Sequence, residues 1–214
     1  MTQPTAVAQQ MAMDGGFLVR PYRIALLNPN TSTRSTERMM VSALAAAPAG
    51  VHIEGRTVPQ GHAFIADARA LKDAEGAVLN YVPVLRAEGF DAIIVAGFGD
   101  PGVAALRKSM ALPVIGLGEA GIAAAARDGL RYAIVTVTPE LHESLVAAAH
   151  ALAPAPQFAG VHYTRGDMDA LMRNPEQLEQ ALLQACCEAI TQDAVQSIVI
   201  GGGPLAHAAQ DIAA

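Results

Sequence analysis

Short apolar runs alternate with longer Ala-rich stretches of helical period along most of the chain. The runs are rich in β-branched residues and have turn-forming residues at their ends, which predicts strands buried on both faces. The predicted strands are Arg23–Leu27, His52–Thr57, Ala92–Ala96, Val114–Gly116, Tyr132–Val137, Phe158–Tyr163 and Ser197–Ile200. The predicted helices are about Thr33–Ala47, Asp67–Glu88, Pro101–Met110, Glu119–Asp128, Pro139–Leu152 and Glu176–Asp193, with a shorter one near Asp167–Arg173. This alternation predicts an α/β fold with parallel sheets.

Turn residues that open a helix follow four of the predicted strands. The four turns are Asn28–Ser32, Gly97–Pro101, Thr136–Pro139 and Gly201–Pro204. In the last three a proline takes the first helical position, so Asp100, Thr138 or Gly203 is the expected N-cap. Because turns of this kind form the ligand crevice of open α/β sheets, we expect the four to converge on one pocket.

The sequence repeats part of itself. Ile93–Pro101 resembles Ile198–Pro204, and Asn28–Ser32 is matched in place by Thr136–Thr138. We therefore expect a loose leader at residues 1–20 and two pseudo-symmetric α/β halves at residues 21–130 and 131–214. The symmetry also predicts that the second half lacks one C-terminal strand and helix, which would leave the strand that contains Val199 as an apolar edge.

Composition narrows the class of partner. The 214 residues are 52% hydrophobic and 16% charged with a net charge of −6, and no cluster of lysine and arginine exceeds two residues. This argues against nucleic acid or a membrane as partner. The only cysteines, Cys186 and Cys187, are adjacent and mid-helix, which fits buried thiols in a reducing cytoplasm. We expect a cytoplasmic protein that binds a small molecule. The sequence is also compatible with a homo-oligomer.

Glycines and histidines supply further candidates. Two G-x-G-x-x-G matches begin at Gly97 and Gly116. Dinucleotide-binding proteins share this pattern, but it also arises readily by chance in a Gly-rich chain. Of the six histidines, only His62, in the loop after the second strand, and His207, one turn into the last helix, are placed to touch a ligand in the crevice. The hydroxyls of the turns are expected to cap helices and to hold a carboxylate or imide-like oxygen.

Three linked segments carry a family resemblance: Leu26–Ser32, Phe90–Gly102 and Pro113–Ala120. With their N-P-N-T and F-G-D-P-G motifs, they resemble the Asp/Glu/hydantoin racemase superfamily, closest to its hydantoin racemase branch with allantoin racemase nearby. The resemblance covers about residues 23–206. It implies two pseudo-symmetric α/β domains, an active site between them, no cofactor or metal, and one thiol on each side of the stereocentre to move the α-proton. It also implies a further strand and helix at the C-terminus.

The chain departs from that pattern at the two thiol positions, which fall at Gly97 and Gly202. Glycine has no group that transfers a proton, and loss of a positioned base costs roughly 10²–10⁴-fold in rate. The resemblance implies a substrate with a carbonyl or carboxylate group, held by Asn28, Thr31, Ser32, Phe98, Thr136, Thr138 and Gly203.

Three hypotheses follow besides racemisation itself. The scaffold could serve a thiol-independent decarboxylase or lyase, with His62, His207 or water as the proton donor. It could serve a catalytically silent binding protein. A dinucleotide-dependent oxidoreductase ranks last.

Overall fold

The computed structural model describes residues 20–153 and 156–205, together with residues 208 and 212. Its strands are β1 (Tyr22–Asn28), β2 (Val51–Thr57), β3 (Ala92–Val95), β4 (Val114–Gly116), β5 (Tyr132–Thr136), β6 (Phe158–Tyr163) and β7 (Ser197–Ile200). Its α-helices are α1 (Thr33–Ala46), α2 (Ala68–Asn80), α3 (Val82–Glu88), α4 (Val103–Ser109), α5 (Leu117–Ala125), α6 (His142–Leu152), α7 (Met168–Arg173) and α8 (Pro175–Asp193). Short 3-10 helices cover Arg127–Gly129, Pro139–Leu141 and Gly203–Leu205.

The strands form two parallel sheets, so the predicted α/β fold is confirmed. The first sheet has the order β2-β1-β3-β4, and the second has the order β6-β5-β7. Every pairing in both sheets is parallel. The central strand of each sheet is therefore the first in sequence, with the second strand on one side and the third on the other. Within the residues described, β7 pairs with β5 alone.

Helices pack against both faces of each sheet. The inner strands are mostly apolar, whereas the edge strand β2 carries His52, Glu54 and Arg56. One face of the first sheet packs its buried Leu27 and Ile93 against Val78, Leu85 and other residues of the helices that follow. In the second sheet, β5 is buried at every position. The side chains on its two faces belong to two separate hydrophobic clusters. Helices α5 and α6 complete one cluster, and helices α7 and α8 complete the other.

Several predicted boundaries move for local reasons. The helix expected over Asp67–Glu88 is two helices, because Pro83 in the first turn of α3 cannot donate a backbone hydrogen bond. The helix expected from Pro101 begins at Val103 with Gly102 as its N-cap in the left-handed region. The prediction of Asp100 as N-cap of that helix was therefore wrong. The helix expected from Glu119 begins two residues earlier, at Leu117.

Some expectations lie outside the described residues. Apart from Arg20, the leader expected at residues 1–20 lies outside the described residues, and His207 lies outside them as well. In the described part of the chain, none of the helices has the length and apolar character that crossing a membrane requires.

Candidate functional site

A cavity of about 50 Å³ lies between the carboxyl ends of the two sheets. All four predicted turns contribute to its lining. Asn30 comes from the first turn; Gly97, Phe98 and Pro101 from the second; Thr136, Val137 and Thr138 from the third; and Gly201, Gly202 and Gly203 from the fourth. Such a space suits a small-molecule ligand and is well below the roughly 300–1,000 Å³ of a drug-sized ligand site.

The rest of the lining is apolar. It consists of Phe64, Ile65, Leu71, Ala96, Leu141, Leu145 and Leu205. No lining residue among those described carries an ionisable side chain, so neither a general base nor a counter-charge for a carboxylate is contributed by them. The polar groups that remain are one amide, two hydroxyls and the backbone of the glycine turns.

Gly97 and Gly202 occupy equivalent positions in the two sheets. Val95 of β3 pairs with Leu27 of β1, and Gly97 lies two residues beyond it. In the second sheet Ile200 of β7 pairs with Val135 of β5, and Gly202 lies two residues beyond that. Both glycines line the cavity. The register therefore gives the two sheets one symmetric pair of positions at the cavity, and both positions lack a side chain.

Side chains at those two positions would meet obstacles. A Cβ atom on Gly97 would lie 2.6 Å from Cγ of Pro29, a distance that real contacts do not reach. Gly202 has a φ of +145°, which side-chain-bearing residues rarely adopt, and its Cβ would lie 3.0 Å from Cδ1 of Leu205. The two turns are built around glycine.

Asn28 organises the first turn from inside the protein. It is fully buried, and its Nδ2 points at Oδ1 of Asn30, the carbonyl oxygen of Ser32 and Oγ1 of Thr36, at 2.9 to 3.0 Å. Its Oδ1 accepts the backbone N–H of Asn30 at 3.1 Å. Asn28 does not line the cavity, so the geometry gives it a structural role in place of the substrate contact we expected.

Asn30 is the residue of this turn that faces the cavity, and the sequence did not single it out. Its Oδ1 accepts from Asn28 and from the backbone N–H of Ser32, which fixes the orientation of the amide. Asn30 is 5% exposed, and its Nδ2 donates to none of the described residues. Because Asn30 lines the cavity, this N–H pair is available to a ligand there. The match between Asn28–Ser32 and Thr136–Thr138 pairs Asn30 with Thr138, which is the signal that could have found it.

The two threonines of the second sheet form a directed chain of hydrogen bonds. Oγ1 of Thr136 donates to the carbonyl oxygen of Gly201 at 2.8 Å, because that oxygen can only accept. The hydroxyl hydrogen of Thr138 then points to Oγ1 of Thr136, 3.1 Å away. Thr138 consequently presents the lone pairs of its hydroxyl oxygen to the cavity. The hydroxyl of Thr136 is held by its hydrogen bond to the carbonyl oxygen of Gly201.

Phe98 and Gly203 line the cavity, and each lies close to residues of the opposite half. The Phe98 ring lies so close to Gly201 that a Cβ there would be 2.6 Å from Cε1. A Cβ on Gly203 would likewise lie 2.7 Å from Sδ of Met39, on α1. The two sheets approach closely because these glycines leave room.

Three other expected contacts lie elsewhere in the described structure. Nε2 of His62 lies 2.9 Å from Oδ2 of Asp73, and neither residue lines the cavity. Oγ of Ser32 caps α1 by accepting the N–H of Ser35. Thr31 is held by its backbone N–H on the carbonyl oxygen of His62 at 2.9 Å. These residues support the first turn and do not touch the cavity.

The glycine fingerprints have a structural explanation that involves no dinucleotide. The N-terminal N–H groups of α5, at Gly118 and Glu119, are already occupied by the carboxylate of Asp100 at 2.8 and 2.7 Å. Gly116 and Gly118 leave space for that carboxylate, since a Cβ atom at either position would collide with it. Gly102 of the first match has a φ of +78° and packs on Val78. A pyrophosphate at this helix end would have to displace Asp100.

The cysteines are remote from the cavity. Cys186 is buried in the core around α8, and burial raises the pKa of its thiol to about 11. Cys187 is exposed, so the expectation of two buried thiols was wrong for this residue. Neither cysteine is among the residues that line the cavity. In the described ranges, no three His, Cys, Asp or Glu side chains are grouped to hold a metal ion.

Fold and cavity together define an α/β protein of two parallel sheets with a small site between their carboxyl ends. The family model described as Asp/Glu/Hydantoin racemase matches residues 24–214, and the chain belongs to this family. It is 25% identical to the hydantoin racemase of Pseudomonas sp. (strain NS671) over 190 residues, which cover 89% of this chain and 76% of that protein.

Two further proteins extend the comparison. The hydantoin racemase of Rhizobium meliloti is 27% identical over 181 residues, covering 83% of this chain and 74% of that protein. The structure of the allantoin racemase from Klebsiella pneumoniae superposes with a TM-score of 0.84 at 30% identity, covering 89% of this chain and 78% of that chain. The predicted family resemblance is confirmed.

Proposed function

We propose that this member of the racemase family binds a small, neutral molecule with an amide or imide edge between its two sheets and does not racemise it by two-base proton transfer. The observation that carries the proposal is the cavity lining. Among the described residues it contains no ionisable side chain, and it has glycine at both register-equivalent positions, 97 and 202. Proton abstraction at a stereocentre needs a positioned base, and these residues offer none.

The polar groups of the cavity support a neutral ligand. Nδ2 of Asn30, which donates to none of the described residues, offers hydrogens to a carbonyl oxygen, and Oγ1 of Thr138 offers lone pairs to an N–H. One group comes from each sheet. A ligand that presents C=O and N–H together, as hydantoin and allantoin do, would satisfy both and would bring no charge into an apolar space. A malonate-type acid for decarboxylation would find no cation among the described lining residues.

The deciding experiment measures binding and racemisation on the same samples. Titration calorimetry with single enantiomers of a 5-substituted hydantoin and of allantoin should show binding. Circular dichroism of those samples should show no loss of signal beyond a protein-free blank, and proton NMR in D₂O should show no added exchange at the stereocentre. Racemisation in proportion to protein concentration would overturn the silent-binding proposal. His207→Ala would then test whether that histidine supplies a base.

Matched variants test the two polar contacts. Asn30→Asp keeps the oxygen that accepts from Asn28 and Ser32 but removes the free donor. Thr138→Val removes the hydroxyl, whereas Thr138→Ser retains it. We expect affinity to fall roughly 3- to 10-fold in Asn30→Asp and Thr138→Val, as for loss of one hydrogen bond, and to persist in Thr138→Ser. Unchanged affinity in both of the first two variants would place the ligand elsewhere.

A further inference from the structure

We propose that Asp100 is a positioning residue for the cavity, which it shapes by tying the turn Gly97–Asp100, called here the cavity turn, to the N-terminus of α5. Asp100 does not line the cavity. Its effect on a ligand, which rests on the proposed function, would pass through the backbone of Gly97 and Phe98. Its effect on the cavity turn stands without any ligand.

The backbone of Asp100 is held in an unfavourable conformation. Its φ is +50°, in the left-handed region that non-glycine residues seldom occupy. Its N–H donates to the carbonyl oxygen of Gly97 at 2.9 Å, which closes the cavity turn. A conformation of this kind persists only where surrounding contacts hold it. The strongest such contacts available are those of the carboxylate.

The carboxylate makes two backbone hydrogen bonds to a different element. Oδ1 accepts the N–H of Gly118 at 2.8 Å, and Oδ2 accepts the N–H of Glu119 at 2.7 Å. The absence of side chains at Gly116 and Gly118 is what admits it, because a Cβ at either position would lie within 3 Å of the carboxyl group. Two bonds to a rigid helix end fix the carboxylate in position and direction.

Helix α5 in turn contacts the second sheet. It packs on α6 and β7, and a Cβ on its residue Gly121 would lie 3.2 Å from Val199 and 3.8 Å from the Phe98 ring. The carboxylate of Asp100 therefore links the cavity turn of the first sheet to the helix on which Phe98 and β7 rest. Loss of that link should alter the backbone at Gly97 and Phe98, which line the cavity.

Protonation offers a second way to weaken the link. Burial raises the pKa of Asp100, while the N–H groups of Gly118 and Glu119 oppose the rise. The charged groups around it are Glu119 on α5 and Arg107 on α4, with Lys72 and Glu75 of α2 across the adjoining surface depression. As pH falls through the raised pKa, one oxygen gains a proton and ceases to accept an N–H. A raised folded-state pKa means that the folded chain takes up this proton more readily than the unfolded chain, so this protonation does not itself unfold the protein.

The test compares Asp100→Asn with Asp91→Asn in the full chain. Asp91 also accepts a backbone N–H, that of Arg23 at 2.8 Å, but lies before the opposite end of β3. In ¹H–¹⁵N spectra without ligand, Asp100→Asn should shift the amides of Gly97 and Phe98 as well as those of Gly118 and Glu119, and should speed hydrogen exchange in the cavity turn. Asp91→Asn should leave all four amides in place. Shifts confined to Gly118 and Glu119 would show a simple helix cap and overturn the proposal.

The ligand arm uses a 5-substituted hydantoin. Its affinity should fall roughly 2- to 30-fold in Asp100→Asn, the range for residues that act through intervening contacts. Wild-type affinity should weaken as pH is lowered, and Asp100→Asn should lose that dependence. If Asp100→Asn does not fold, Gly118→Ala displaces the carboxylate from the other side and should shift Gly97 and Phe98 in the same way. If the wild type binds no hydantoin, the proposed function fails while the amide shifts still decide the role of Asp100.

Discussion

Pro29 closes the space into which a side chain at Gly97 would extend, since a Cβ atom there would lie 2.6 Å from Cγ of the proline ring. The two residues belong to different turns of the first sheet. Placing a thiol at position 97, where the family resemblance leads us to expect one, is consequently a packing problem as well as a chemical one. The glycine and the proline must be considered together in any such substitution.

We expect Gly97→Ala to destabilise the protein by roughly 1–3 kcal/mol, the usual cost of an overpacked site. Pro29→Ala removes the obstructing Cγ, so the double variant should recover much of that loss. A double-mutant cycle by urea denaturation should give a coupling free energy of at least about 0.5 kcal/mol between the two positions. Gly76→Ala is the matched control, because Gly76 lies on an exposed helix face with nothing within 4 Å of its Cβ position. It should stabilise by roughly 0.5–1 kcal/mol. Strictly additive effects at positions 29 and 97 would contradict the clash.

The sequence was sufficient to predict the order of strands and helices, but not the direction in which individual side chains of a turn point. Strand–helix alternation and turn residues predicted the parallel sheets and the convergence of four turns, because burial on both faces leaves a continuous apolar run. They did not predict which residue of a turn faces the cavity. Asn28 and Asn30 carry the same side chain. Only the folded turn decides that the amide of Asn28 is enclosed by Thr36 and Ser32, while Nδ2 of Asn30 donates to none of the described residues. The sequence also did not predict that the carboxylate of Asp100 accepts backbone N–H groups of α5, because α5 is distant from Asp100 in sequence.

Tyr132 offers a test of the second core. Its side chain is fully buried on β5, and its hydroxyl has no hydrogen-bond partner in the described structure. An unsatisfied buried hydroxyl costs roughly 1–3 kcal/mol. We expect Tyr132→Phe to leave the fold intact and to raise the free energy of unfolding, as measured by urea denaturation. Tyr163→Phe is the control, because its hydroxyl lies 2.6 Å from Nδ1 of His142. A loss of stability in Tyr132→Phe would reveal a partner for the hydroxyl.

The two cysteines should differ sharply in reactivity. Cys187 is exposed, whereas Cys186 is buried and burial raises the pKa of its thiol to about 11. Because the thiolate is the reactive form, an aromatic disulfide reagent at pH 8 should modify one thiol in the native protein and two after unfolding in urea. Cys187→Ser should abolish the native reaction, and Cys186→Ser should not. Rapid modification of both thiols in the native state would mean that α8 is less firmly packed than the structure shows.

Asn28 and Asn30 should respond in opposite ways to substitution. Asn28→Ala removes a fully buried amide and leaves the backbone N–H of Asn30 without its acceptor, while Oγ1 of Thr36 keeps its contacts with Thr57 and Ser32. An abandoned buried N–H costs roughly 1–3 kcal/mol, so the loss should appear mainly as reduced stability in urea. Asn30→Asp retains the oxygen that accepts from Asn28 and Ser32, so the loss should appear mainly in the affinity for a hydantoin. Measuring both quantities on both variants separates the two roles. Equal loss of stability with unchanged affinity in Asn30→Asp would show that Asn30, like Asn28, serves only to build the turn.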